Sequence, residues 1–119
     1  MVSAPHRGEI YEVDFSLARG SEQAGVRPGL VVQNDIGNAS APTTVVVVVT
    51  SREPRKPYPF LVELAGSGLP KRSWAHCAQL ATVDKARLGR LMGVAGAPTM
   101  RQVDVALSRS LGLSGPAAR

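Results

Sequence analysis

Three short stretches combine side chains that handle charge with a backbone able to hold them still: "VRPGLVV" around Arg27, "VVVTSR" ending in Thr50, Ser51 and Arg52, and "SWAHCAQL" around His76. A guanidinium keeps its charge at any working pH and presents a planar fork of donors that matches phosphate oxygens. Pro28 biases Arg27 toward an extended conformation and brings no backbone donor of its own. Arg27 is therefore either an anchor paired with an acid such as Glu22 or a tool aimed at an anion. Thr50, Ser51 and Arg52 put two hydroxyls and a cation at a strand end, which suits a simple turn or a phosphate contact. His76 has the one side chain in the predicted strands whose ordinary pKa lies near neutrality. It can move a proton or sit as a half-buried strand histidine. Tyr58, Phe60 and Trp74 can stack unpaired bases or pack conventionally, and with aromatics at only 4% Trp74 also suits an interface anchor. His6 is assigned no role.

Other chemistries lack their parts. The acids are scattered, with no cluster to seat magnesium beside phosphates, so a metal nuclease is disfavoured. No nucleophile elbow, phosphate loop or dinucleotide fingerprint occurs. The lone Cys77 forms no internal bridge, and no metal-ligand spacing exists, so no metal or cofactor is expected and a reducing cytoplasm fits. No stretch has the apolar length of a membrane span, and "MVSAPHRGEIYEVD" lacks the apolar core of a secretion signal.

These residues need elements to position them. "EIYEVDF" alternates as a half-buried strand, out of phase at Glu12, and "LVVQ" reads as a second. "NDIGNASAPT" carries turn chemistry. Val45 to Val49 are five consecutive β-branched residues, which predicts a strand covered on both faces. "YPFLVEL" is a strand entered through prolines, "AGSGLPKRS" a loop, and "SWAHCAQLATV" a further extended segment. "VDKARLGRL" is a candidate short helix. From Pro98, Met100, Val103, Leu107 and Leu111 recur at helical spacing, with Gly112 as C-cap. Strands followed by one packed helix imply a mainly β domain, a strongly curved antiparallel sheet or partly open barrel.

At 119 residues the chain fits one domain, 1–119, with about 114–119 as a flexible tail. Fourteen Lys and Arg against nine Asp and Glu leave +5, which tilts the reading toward a polyanionic partner.

Taken in order, "RGEIYEVDF", "RGSEQAGVRPGLVVQNDIGN", "VVVTSR", "SGLPKRS", "TVDKARLGR" and "VDVALSRSLGL" resemble the MazF/PemK family of toxin endoribonucleases from toxin–antitoxin pairs. The resemblance covers nearly the whole chain, and the long run into "LVVQND" followed by "TSR" is its most specific part. It implies a small SH3-like barrel of the CcdB/PemK type with a C-terminal helix, acting as a cytoplasmic homodimer. The implied activity is metal-independent, sequence-specific cleavage of single-stranded RNA, leaving 2′,3′-cyclic phosphate and 5′-hydroxyl ends. A cognate antitoxin with an acidic, disordered tail would silence it. Arg27 and Thr50 fall on the family's catalytic arginine and threonine, while Glu22, Ser51, Arg52, His76 and Gln79 are the implied RNA contacts. The chain departs from the pattern at Ala78, where an acid commonly precedes the glutamine, and at Ala81, where a basic residue is common. Two alternatives are a same-fold toxin that inhibits DNA gyrase by binding, and a noncatalytic RNA- or antitoxin-binding module.

Overall fold

The computed structural model describes residues 4–16 and 25–113. Its elements run β1 (Glu9–Asp14), β2 (Val26–Val31), α1 (Asp35–Ser40), β3 (Thr43–Thr50), β4 (Leu61–Glu63), β5 (Trp74–Asp84), β6 (Leu88–Val94) and α2 (Ala97–Ser110). The strands form one antiparallel sheet in the order β4-β5-β3-β2-β1-β6. The mainly β class with a C-terminal helix is the one expected from the sequence.

The valine run makes β3 the spine of the molecule. Val47 and Val49 pack with Ile10, Leu30, Val62, Ala75 and Cys77 beneath Val103 and Ala106 of α2. Val46 and Val48 pack on the other side with Val13, Phe15, Val31 and Val83. A strand buried on both faces has no polar alternation to keep, and each buried valine contributes roughly 1.5–3 kcal/mol.

The sheet does not close into a barrel through strand pairing. Its edges β4 and β6 are linked by the loop after β4, where the Val94 N–H donates to the Ser67 carbonyl at 3.0 Å. Gly93 permits that approach, since a Cβ there would stand 2.3 Å from the Ser67 carbonyl oxygen. Arg7 staples the segment before β1 to both helices: its N–H donates to Asp35 at 2.7 Å and its guanidinium to Asp104 at 2.6 Å.

Four elements differ from the sequence reading. "NDIGNASAPT" is not all loop, because Asn34 caps the short helix α1 by accepting from the Gly37 N–H at 2.8 Å, and buried Asn38 is held by Gln33 and Thr44. "VDKARLGRL" is helical only as a 3-10 turn at Lys85–Arg87. The chain then extends as β6, which satisfies the free edge of β1. β2 begins at Val26 and not at Leu30, and the strand in "YPFLVEL" shrinks to three residues.

The terminal helix forms where its period predicts, and it ends in a Schellman motif: Gly112 has φ +67°, and the Leu113 N–H donates to the Ser108 carbonyl at 2.8 Å. Leu111 lies at that cap and is exposed, outside the apolar face the period assigned to it. Neither described helix is long and apolar enough to cross a membrane. The proposed tail 114–119 lies outside the described residues.

Candidate functional site

The site grows from two irregularities on either side of β3. Between β2 and β3 the paired residues are Gly29 with Val48, Leu30 with Val47, and Val31 with Val46. The Val32 N–H donates to the Val45 carbonyl at 2.9 Å, so in this ladder every second residue, 32, 30 and then 28, turns its backbone toward β3. Residue 28 is proline and has no N–H to give, and the ladder stops at Gly29. Continued by two residues, the same register brings Arg27 level with Thr50. Side chains level across neighbouring strands lie on one face with Cβ atoms about 5 Å apart, somewhat more where the ladder has ended. Arg27 and Thr50 therefore stand on the Val48 face, and both line one cleft of about 900 Å3.

The second irregularity is in β5. Val47 pairs with Leu80 but Val48 pairs with His76, so Cys77, Ala78 and Gln79 bulge out of the ladder. The Cys77 N–H is taken up instead by the Phe60 carbonyl at 2.8 Å. Residues three apart point to opposite faces of a regular strand, and the bulge is what lets both His76 and Gln79 reach the cleft.

Of the residues singled out from the sequence, Arg27, Thr50, Ser51, Arg52, His76 and Gln79 all line this cleft, together with Tyr58 and Phe60. Glu22 lies outside the described residues. Trp74 does not line the cleft but is buried, with the Arg72 guanidinium 5.1 Å from its ring centre and held by Glu63 at 2.6 Å. Burial pushes the Cys77 thiol up to about 11, which leaves it unreactive at neutral pH. Two cations that no sequence pattern flagged, Arg55 and Lys71, also line the cleft. They sit in proline- and glycine-rich loops, where no periodicity predicts direction.

Among the described residues, four cationic side chains, Arg27, Arg52, Arg55 and Lys71, and one carboxylate, Glu53, line the cleft. Such a wall favours an anion. The Thr50 Oγ1 accepts the Arg52 N–H at 3.1 Å, which orients the hydroxyl and leaves its own proton available to donate outward. His76 lies tilted against Phe60 with ring centres 4.9 Å apart, and Phe60 stacks on Tyr58 at 5.2 Å. Desolvation holds the imidazole below its ordinary value, and its Nδ1 is buried without a hydrogen-bond partner. His76 is thus neutral at pH 7.

Similar solved structures cover almost the whole chain. An endoribonuclease from a mycobacterial species is 28% identical, matching 98% of this chain and 99% of its own, with a TM-score of 0.79. MazF from Deinococcus radiodurans is 27% identical over 94% of this chain and all of its own, with a TM-score of 0.81. An endoribonuclease in complex with its cognate antitoxin, also mycobacterial, is 30% identical over 95% of this chain and all of its own, with a TM-score of 0.77. Residues 6–111 match the model of the PemK-like, MazF-like toxins of type II toxin–antitoxin systems, and with the fold agreeing as well, the chain belongs to that family.

Proposed function

We propose that this chain is a metal-independent endoribonuclease toxin that cuts single-stranded mRNA at a short sequence motif. What supports the reading is that Arg27 and Thr50 both line one cationic cleft and that the β2–β3 register, continued past Gly29, would bring them level. RNA brings its own nucleophile, so the protein has chiefly to align the 2′-hydroxyl with the scissile phosphate and stabilise the charge that develops there. The 2′-hydroxyl gives its proton to water as its oxygen bonds to phosphorus, and the bond to the 5′-oxygen breaks as that oxygen takes a proton from water, giving 2′,3′-cyclic phosphate and 5′-hydroxyl ends. Arg27 neutralises the nonbridging oxygens with its planar fork, and the Thr50 hydroxyl donates a hydrogen bond to one of them. A guanidinium with a pKa above about 12 is a poor proton donor, so Arg27 acts by charge and not as a general acid. Ser51, Arg52, Gln79 and His76 hold the flanking nucleotides, and Glu22 is a further RNA contact by the family resemblance alone.

The same cationic cleft suits the acidic, disordered tail of a cognate antitoxin, which would occupy the RNA path. β6 is an edge strand with Leu91 and Val94 exposed, an apolar surface that supports a homodimer, and the toxin acts in the cytoplasm. Digesting a long natural RNA in excess chelator and sequencing the fragment ends tests the proposal. Cyclic phosphate ends at a recurring short motif are expected. Intact RNA with inhibited DNA supercoiling would replace the reading with a gyrase-binding toxin, and RNA bound but uncut would leave a noncatalytic module.

A further inference from the structure

His76 stands apart from the groups that perform cleavage in this reading. Its Nδ1 is buried without a hydrogen-bond partner, and no hydrogen bond to the other ring nitrogen, Nε2, is found among the described residues. Nε2 is therefore the ring nitrogen left to meet a ligand in the cleft that His76 lines.

The ring's surroundings give it a second property. Phe60 stands between Tyr58 and His76, with centre-to-centre distances of 5.2 Å and 4.9 Å, and Lys56 Nζ lies 5.2 Å from the Tyr58 ring centre. His76 joins this aromatic group to the sheet: it pairs with Val48 of β3, and β3 leads on to Thr50 and, across β2, to Arg27. Two strand spacings separate His76 from β2, about 10 Å in all.

Resting on the endoribonuclease reading, we propose that His76 is a specificity-determining residue. It receives one unpaired nucleobase of the RNA against its ring, next to the scissile phosphate, and its Nε2 hydrogen-bonds to that nucleotide. A stacking ring accepts any base, so the nitrogen supplies the preference.

The test uses the full chain and a randomised RNA pool, with fragment ends sequenced for wild type, His76→Phe and His76→Ala. His76→Phe keeps an aromatic ring and removes the nitrogen, and it should flatten the preference at one nucleotide position only. His76→Ala should flatten the same position and lose about tenfold in rate, the order that one base stack supplies. A slower enzyme with an unchanged motif in both variants would reduce His76 to a structural role and overturn the inference. Binding is read separately, by quenching of a 2-aminopurine placed in turn at each position of a short RNA. Quenching at one position that His76→Ala abolishes supports the inference even if wild type proves unable to cut, an outcome that would sink only the enzymatic reading. Quenching unaffected by His76→Ala overturns the inference even if cleavage is robust.

Discussion

Replacing Pro28 with alanine tests whether a missing backbone donor opens the site. The register puts residue 28 opposite Val49, at a position that should exchange hydrogen bonds with β3, and proline alone prevents it. Alanine restores the N–H. A new ladder bond adds about 0.5–1.5 kcal/mol, while losing the proline's restriction of the unfolded chain removes about 0.4–1 kcal/mol. The two nearly cancel, so the melting temperature should move by no more than about 5 °C. Activity should not be spared in the same way. Extending the ladder draws Arg27 toward Thr50, and a displacement of about 1 Å at a reacting centre costs up to about a hundredfold in rate. The expected result is a variant whose residue 28 amide is protected from hydrogen exchange, whose stability is nearly unchanged, and whose single-turnover cleavage falls between about ten- and a hundredfold with a smaller loss of RNA affinity. A protected amide with full activity would refute the link between the broken ladder and the chemistry. An unprotected amide would refute the account of why the ladder ends.

Arg27→Lys should lower cleavage by orders of magnitude and RNA affinity much less, because a point charge cannot reproduce a planar fork in the transition state; equal losses in single-turnover rate and binding would argue against that role. Gly93→Ala should destabilise the fold by about 2–4 kcal/mol in denaturant titration, since its Cβ would lie 2.3 Å from a backbone oxygen that cannot rotate away. The pH dependence follows from His76, whose folded pKa lies below the ordinary 6.5. The unfolded chain binds a proton first, so this stability is complete above about pH 6.5 and is lost as pH falls toward the folded value. Between pH 7 and 5, wild type should therefore lose more thermal stability than His76→Phe, and identical slopes would contradict the buried, unbonded Nδ1. The carboxylates of Asp14, Asp35 and Glu63, whose pKa values are lowered by hydrogen bonds from Ser16, Arg7 and Arg72 respectively, titrate below that window.

The elements legible in the sequence were those whose pattern is local. Five valines in a row can only be a strand buried on both sides, and the period from Met100 to Leu107 can only be a helix with one apolar face. What stayed hidden depended on partners distant in the chain. Leu88–Val94 carries apolar residues at spacings that fit a helix, yet β1 offers it an unpaired edge, and pairing outweighs propensity. Asn34 could have flagged α1, since an asparagine ahead of a short run ending in Ser40 is an N-cap signal, but the glycine at 37 argued for a turn. In the site, Arg27, Thr50, Ser51 and Arg52 were named from residue type and family resemblance, and the register supplies the geometry. The contact of His76 with Phe60, and the presence of Arg55 and Lys71, follow from a bulge and two loops that no sequence period encodes.

That bulge and the proline act on the same end of the same strand. β3 is paired regularly with both neighbours from Val46 to Val47, and at Val48 both relationships change: β2 has one more partner to offer before Pro28 ends the ladder, and β5 slips by three residues. A fully paired central strand buries its side chains against its neighbours and leaves no room for a ligand. Breaking register on both sides at one end leaves the rest of β3 to hold the core, while Thr50 emerges between a guanidinium on one flank and an imidazole on the other. Stability and access are thereby assigned to different halves of one strand. A substitution in the Val45–Val47 half should act on folding and leave the cleavage motif alone, and one at Val48 should disturb the motif before it disturbs the fold. If Val48→Ala and Val46→Ala were to alter stability and cleavage pattern in the same proportion, the division would not exist.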